Sequence, residues 1–507
     1  MRHVYNLTEG MAVKAILGTM FTSATRTPLY EVNNFYRDSP KKMLFGPFVG
    51  DRGLSDTILA TRMDSIYEMN RKWKDFNEII WETQTLVCRI FGLASEDYYL
   101  DTTDIDLTGT KYTSRGDGAA LPEHFGKPKS GKTALLHKSI MVAVRGCTVL
   151  CYAQAHDGAE SDVIMDNEAI RRLIGKVDAS RAIFTMDCKG CTLPNISLCV
   201  NGGVGFVTKV PERFYGGLRD DVVHSVVTGI MDESEKRPGR LYYDTVVRIA
   251  SEDDGLDAEL RLIAYKLPNG IRRAEKYLRS QGRRKLDRAM NALSHKRFES
   301  RDAAERAFAE ALASADAPVY NVLREVFEDP VRKRRDEPCW RVKPHPATVI
   351  ESEMSDACKR YSVNVLITNL PFSTMSCGDP RRGSTADDVI EYYLRQCVVE
   401  RRFRMMKTCQ GMGHVYIHTL RRQDTMIFMT ALATMIQSAM DEKLKRTHIK
   451  GQPNITMERA ADKLVNARLG YDKEKDRVYI SGGGDSAKIF ADMLERLGIE
   501  KRLLFGF

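Results

Sequence analysis

Apolar residues recur at three- and four-residue spacing through residues 1–95, in segments such as Leu54–Met69 and Ile79–Phe91, which predicts a mostly helical region. Tyr98-Tyr99-Leu100 then reads as a short strand running into Asp101. A polar, glycine-rich stretch, Thr108–Lys132, leads to two β-rich runs, Ser139–Val144 and Thr148–Tyr152, joined by Arg145-Gly146-Cys147 as a hairpin. Ile164–Ile174 predicts a helix, and Ala182–Met186 an apolar strand that ends on Asp187. Beyond Phe206–Val210 the pattern changes. Leu241–Ala250 and Glu259–Tyr265 read as strands around the turn Glu252-Asp253-Asp254-Gly255, and Ile271–Arg306 is helical and strongly basic. Val363–Thr368 returns to a buried strand, and a helix opens near Thr385 with Asp388 in capping-box spacing. The tail from Gln452 predicts a polar helix, a strand at Val478–Ile480, a loop at Ser481–Asp485 and a last helix.

This alternation is an α/β pattern rather than a helical bundle. Acidic residues close two of its strands, and carboxylates at neighbouring strand ends can converge on one point. The segment Tyr392–Lys407 adds a third acid. On one continuous helix Tyr393, Gln396, Glu400 and Lys407 fall within an arc of about 60°, a stripe holding a phenol, an amide, a carboxylate and an ammonium. The alternative is the solvated face of an amphipathic helix.

Composition narrows the class. At roughly 150 residues per domain, 507 residues give about three domains. With 43% hydrophobic and 29% charged residues the chain can bury sizeable cores. The net charge of +9 is compatible with nucleic acid. Eleven cysteines are too sparse for a disulfide scaffold, so a reduced, cytoplasmic protein is expected. The most apolar stretch, Met426–Met440, is shorter than the about 20 residues a bilayer span needs and contains Thr430, Thr434 and Gln437, so it predicts a buried helix and no membrane partner.

Asp101 followed by Thr102-Thr103, Asp187 at a strand end, and Tyr393-x2-Gln396-x3-Glu400-x6-Lys407 together resemble the DDE transposases of insertion sequences. More narrowly, they resemble the class with a tyrosine–arginine–glutamate–lysine helix. All spacings fit, with Gln396 at the family's arginine position and Arg395 one place earlier. The resemblance implies a ribonuclease-H-like α/β catalytic core with a helical N-terminal domain and a large mixed α/β insertion before the last catalytic carboxylate. The expected divisions are 1–95 helical, 96–208 first part of the core, 209–362 insertion, 363–450 second part of the core, and 451–507 a C-terminal region for oligomerisation. It further implies Asp101, Asp187 and Glu400 as catalytic ligands of Mg²⁺ or Mn²⁺, the hard cations that carboxylates suit. Tyr393, Arg395 or Gln396, and Lys407 would contact DNA phosphates. The implied partners are the element's terminal inverted repeats and target DNA, held by a homodimer in a synaptic complex associated with the nucleoid. The implied reaction is hydrolytic release of 3′ ends and their joining to target DNA.

Other signals compete. Gly126–Thr133 matches the P-loop pattern, but no apolar strand precedes it, so a phosphate cradle lacks its usual support. A P-loop NTPase is therefore the alternative enzyme, and a catalytically dead DNA-binding relic the alternative without catalysis. Asp104 and Asp106 rival Asp101, although strand alternation turns Asp104 to the opposite face. Cys188-x2-Cys191 has no second pair to complete a zinc site. Trp340, among Arg332–Arg335, Arg341 and Lys343, could stack on an unpaired base or pack in a core. The basic run from Ile271 could follow a phosphate backbone or form a salt-bridged surface, since acids are interspersed.

Overall fold

The computed structural model describes residues 7–22, 27–37, 44–46, 49–50, 52–107, 136–158, 160–229, 231–315, 317, 319–329, 338–409, 414–415, 417, 419–447, 456–457, 467–472, 477–482 and 486–500. The chain divides into two compact units. The first comprises Met1–Thr208, Ala250–Ala258 and Glu391–Phe507, and the second Lys209–Ile249 and Glu259–Ile390.

Four helices open the first unit: α1 (Glu9–Thr22), α2 (Leu29–Phe35), α3 (Asp56–Lys72) and α4 (Phe76–Phe91). Local chemistry fixes the ends of α4. The Asp75 carboxylate accepts from Asn77 N at 2.7 Å, and Gly92, at φ 63°, closes the helix in the left-handed conformation that glycine tolerates. Strands β1 (Asp97–Leu107), β2 (Leu136–Arg145) and β3 (Leu150–Asp157) follow, then α5 (Asp162–Ile174), β4 (Ile183–Met186), α6 (Leu193–Asn201) and β5 (Gly205–Lys209). They lie in the order β3-β2-β1-β4-β5. The first three strands are mutually antiparallel, β4 runs parallel to β1, and β5 runs parallel to β4. β1 is longer than its apolar start suggests. Its acidic half stays in the sheet because β2 pairs with it without interruption from Tyr98 opposite Arg145 to Leu107 opposite Leu136.

The second unit begins with α7 (Leu218–Thr228) and β6 (Asp232–Glu233), then β7 (Leu241–Ser251) and β8 (Leu256–Lys266). A helical group follows: α8 (Gly270–Tyr277), α9 (Arg283–Ser294) and α10 (Arg301–Ser314). Next come β9 (Tyr320–Asn321), β10 (Arg324–Glu328), β11 (Trp340–Pro344), β12 (Thr348–Val349), α11 (Glu351–Tyr361) and β13 (Val363–Thr368). β13 pairs antiparallel with β8, and β7 and β6 continue outward. Leu278, Leu286, Met290, Phe308, Val342 and Met354 form a separate core under the helical group. Two buried ion pairs brace this unit. Arg240 meets Asp387 at 3.2 Å, and Arg261 pairs with Asp244 while donating to the carbonyls of Leu370, Pro371 and Ser384 at 3.1–3.2 Å.

Helix α12 (Ala386–Leu394) leads back to the first unit, where α13 (Cys397–Arg404) runs into a π-helical turn at Met405–Cys409. A short strand β14 (His414–Val415) pairs parallel with the end of β1. Then comes the 27-residue α14 (Leu420–Arg446). Met426, Ile427, Phe428, Met429, Ala431, Ala433, Met435 and Ala439 are all buried, so this helix is apolar on most sides because protein surrounds it. Its Thr430 and Ser438 hydroxyls are satisfied by the preceding helical turn. Phe428 stacks on Phe76 at 4.2 Å, which joins α14 to α4. No described helix is long and apolar enough to cross a membrane. Strands β15 (Ala467–Asp472) and β16 (Arg477–Gly482) form a hairpin before α15 (Ser486–Leu497).

Candidate active site

Asp101 and Asp187 are placed by backbone register. β1 and β4 pair in parallel from Asp97 opposite Ile183 to Leu100 opposite Met186. Asp101 and Asp187 are the next residues on each chain, just beyond the last paired step, on strands about 4.8 Å apart. β4 is buried along its whole length and stops at Asp187. There Asp187 Oδ1 accepts from Lys189 N at 2.8 Å and Gly190 N at 3.3 Å, while Thr208 Oγ1 donates to its carbonyl at 2.8 Å. The turn needs glycine at 190, where a Cβ would stand 2.8 Å from that of Met186. Asp187 thus caps the turn that follows β4. The cap occupies Oδ1, and among the described residues Oδ2 accepts no hydrogen bond.

The two faces of β1 differ. Tyr99 and Ile105 are buried in one core with Ile140, Val142 and Val144 of β2 and with Val399 and Phe403 of α13. Alternation puts Asp101 on this face, beneath the helix that carries Glu400. Thr102, Asp104 and Asp106 point the other way, toward α5. On that side Thr102 Oγ1 donates to Asp162 Oδ1 at 2.7 Å, and Lys189 pairs with Asp162, which raises the lysine pKa.

The helix expected to carry one stripe from Tyr393 to Lys407 is not continuous. α12 stops at Leu394 and α13 starts at Cys397. Between them the hydrogen bonds tighten to i→i+3, from Gln396 N to Tyr393 O, Val398 N to Arg395 O and Val399 N to Gln396 O at 2.9–3.1 Å. Cys397, Val398 and Val399 are weak helix formers and tolerate the break. The π-helical turn then shifts the phase of Lys407 again. Tyr393, Gln396, Glu400 and Lys407 therefore lie along an interrupted helix, to which the arithmetic of one continuous helix does not apply. Glu400 is exposed on α13, and no hydrogen bond or ion pair engages it among the described residues.

Arg395 stands at the break, its guanidinium 5.9 Å from the Tyr392 ring centre and beside Tyr99. Asp97, two residues before Tyr99 on the same face, has its pKa raised to about 6 by burial, with Arg395 opposing the shift and Glu96 adding to it. Neither Asp97 nor Tyr99 was singled out by sequence. Counting back from Asp101 by twos would have found both.

Three oxygen-donor carboxylates suit a hard divalent cation in chemistry. In geometry only part of the set is prepared. Among the described residues no group of three or more His, Cys, Asp or Glu side chains is gathered closely enough to hold a metal ion. The aspartates follow the last paired residues of β1 and β4, and the glutamate is exposed on its helix.

The other signals resolve differently. Gly126–Thr133 and Arg332–Arg335 lie outside the described residues. Cys188 is exposed and Cys191 buried, with its thiol pKa pushed up by that burial. Trp340 exchanges two backbone hydrogen bonds with Phe298, at 2.9 and 3.0 Å, and its half-buried ring packs against the core of the second unit. Along α8 and α9, Arg272, Arg273, Lys276, Arg284 and Arg288 are exposed, while Arg279 and Arg283 pair with Glu275 and Asp287.

No family model matches the chain, and no curated protein matches its sequence. Among solved structures it is similar to a piggyBac transposase in a synaptic complex with hairpin DNA. That likeness has 11% sequence identity and a TM-score of 0.38, over 89% of this chain and 69% of that one.

Proposed function

We propose that the chain is a DNA transposase whose first unit is a ribonuclease-H-like core. It would cut the ends of its own element and join the 3′-OH ends to target DNA. The observation that supports this reading is the parallel pairing of β1 with β4 up to Leu100 opposite Met186, one residue before Asp101 and Asp187 on their chains. Three antiparallel strands followed by two helix–strand steps, in the order β3-β2-β1-β4-β5, support the core. The exposed cations of α8 and α9 support a DNA partner.

In this reading Asp101, Asp187 and Glu400 hold Mg²⁺ or Mn²⁺. When bound, such ions activate the attacking oxygen and neutralise charge on the leaving one. The chain's own residues supply the rest. Asp187 keeps its orientation through the Lys189 and Gly190 amides, leaving Oδ2 for the site. Lys407 offers a point charge to a phosphate, and Gln396 offers only neutral hydrogen bonds there, so it cannot replace a cationic grip.

The test is incubation with terminal inverted-repeat DNA and Mg²⁺ or Mn²⁺, with and without ATP. Metal-dependent, ATP-independent nicking that Asp187→Asn and Glu400→Gln both abolish is the expected result. The ungathered glutamate favours one competing reading, a relic that binds the repeats and never cuts. DNA binding without nicking at any metal concentration would establish that reading.

A further inference from the structure

Two cysteines that the proposed chemistry leaves unused meet inside the first unit. Cys88 lies in the last turn of α4 and Cys147 in the turn between β2 and β3, and both are free, buried thiols of one core. Their side chains stand within hydrogen-bond reach of each other. The backbones that carry them are stitched together. Arg145 donates from Nη1 to Gln84 Oε1 at 3.1 Å and from Nε to the Ser95 carbonyl at 2.9 Å, and Gly146 N donates to the Asp97 carbonyl at 2.7 Å. The Cys88 thiol also reaches Gln84 Oε1, at 3.7 Å.

The two sulfurs differ in their surroundings. Cys147 accepts from the Cys88 thiol and from the Val149 amide and feels the charges of Arg145 and Arg446, which together lower its pKa against the opposing effect of burial. The same thiol–thiol hydrogen bond, with burial, raises that of Cys88. Buried Arg402 of α13 lies within electrostatic range of Cys147 as well. Cys151, on β3, stands outside the pair: its thiol donates to the Ala143 carbonyl at 3.3 Å, and burial pushes its pKa up to about 12.

We propose that Cys88 and Cys147 form a redox-modification site that a hydroperoxide closes to a disulfide. The Cys147 thiolate attacks the peroxide O–O bond and becomes a sulfenic acid, and the displaced hydroxide takes up the proton that Cys147 had lost and leaves as water. The Cys88 sulfur then attacks the Cys147 sulfur, its proton joins the departing hydroxyl, and a second water leaves. Each sulfur gives up one electron and the peroxide accepts both; a dithiol reverses the change. Burial selects the oxidant class, since a hydroperoxide is small enough to enter beneath the turn and a bulky disulfide is not. The new bond ties the end of α4 to the β2–β3 turn.

The test treats the reduced full chain with hydrogen peroxide, denatures it in N-ethylmaleimide and digests it for mass spectrometry. Loss of the maleimide label from both positions, with a Cys88–Cys147 linked peptide that dithiothreitol removes, is the expected result, and it needs no substitution. Cys88→Ala is expected to stop at the Cys147 sulfenic acid, trapped with dimedone, whereas Cys147→Ala leaves Cys88 without dimedone. Cys151→Ala should behave like the parent. Oxidation confined to the exposed Cys188, Cys377 and Cys397, with Cys88 and Cys147 still labelled by maleimide, overturns the proposal. Linkage of either cysteine to a different one overturns it too, and dimedone on Cys88 in Cys147→Ala overturns the order of attack. These readouts use neither DNA nor metal, so they stand apart from the transposase reading.

Discussion

The aspartates and the glutamate of the proposed site are held by different means. Asp101 lies on β1 and Asp187 just past the end of β4, one residue beyond the parallel ladder that closes at Leu100 opposite Met186. Glu400 sits on an eight-residue helix between a tightened break and a π-helical turn, held by Val399 and Phe403 in the core. A ladder cannot slip by one residue without turning every side chain to the other face. A short helix can shift by repacking a few contacts. The difference teaches that the strand pair is the prepared half of the site and the helix its adjustable half.

Substitutions in the two halves are expected to differ in the size of their effects. The largest effect is expected at the prepared half. Asp187→Asn should lower nicking by roughly 10³-fold or more, as loss of a central catalytic group does. The amide oxygen can still accept from the Lys189 and Gly190 amides, so the circular dichroism melt should match the parent. Asp187→Asn should also cost more Mn²⁺ affinity than Glu400→Gln, and equal losses would erase the distinction between the halves.

The second effect is on stability. An ordinary aspartate has a pKa near 3.8, whereas that of Asp97 is raised to about 6. The folded state therefore holds the Asp97 proton more tightly than the unfolded chain does. Its contribution favours folding at low pH and is lost as pH rises from about 4 to 6, by about 3 kcal/mol. Asp97→Asn should remove this fall and leave the protein more stable than its parent at pH 8 in urea melts.

A smaller effect probes the adjustable half. Val399 is fully buried, and Val399→Ala should destabilise the protein by about 1.5–3 kcal/mol. The loss in nicking should exceed the loss in DNA affinity, because α13 loses its seat. The smallest effect serves as a control remote from the helix. Asp75→Ala removes the cap of α4 and should cost about 1 kcal/mol with nicking unchanged.

Much of the strand half was legible in the sequence. An apolar run ending on an acid marked Asp187, and alternation separated Asp101 from Asp104. The pairing register of β1 with β4 was not legible, because parallel strands are brought together by tertiary packing across the α5 crossover rather than by local turn chemistry. The helix half was harder to read. Arc arithmetic assumes an unbroken helix, and the break at Arg395 arises from tertiary surroundings, with Tyr99 and Asp97 below it. Arg402 shows the same limit. Within a run of charges it reads as solvent-facing, yet it is buried, its pKa lowered by desolvation and held up in part by Asp441.

The divided duty of the Asp187 carboxylate has a consequence for populations of such chains. Asparagine can keep the oxygen that shapes the turn while forfeiting the one that faces the chemistry. A single-base lesion at that codon would thus yield a silent twin, intact in shape and competent to occupy DNA ends. On the transposase reading proposed above, that twin would compete with its active parent for the same DNA, a one-step route to restraint.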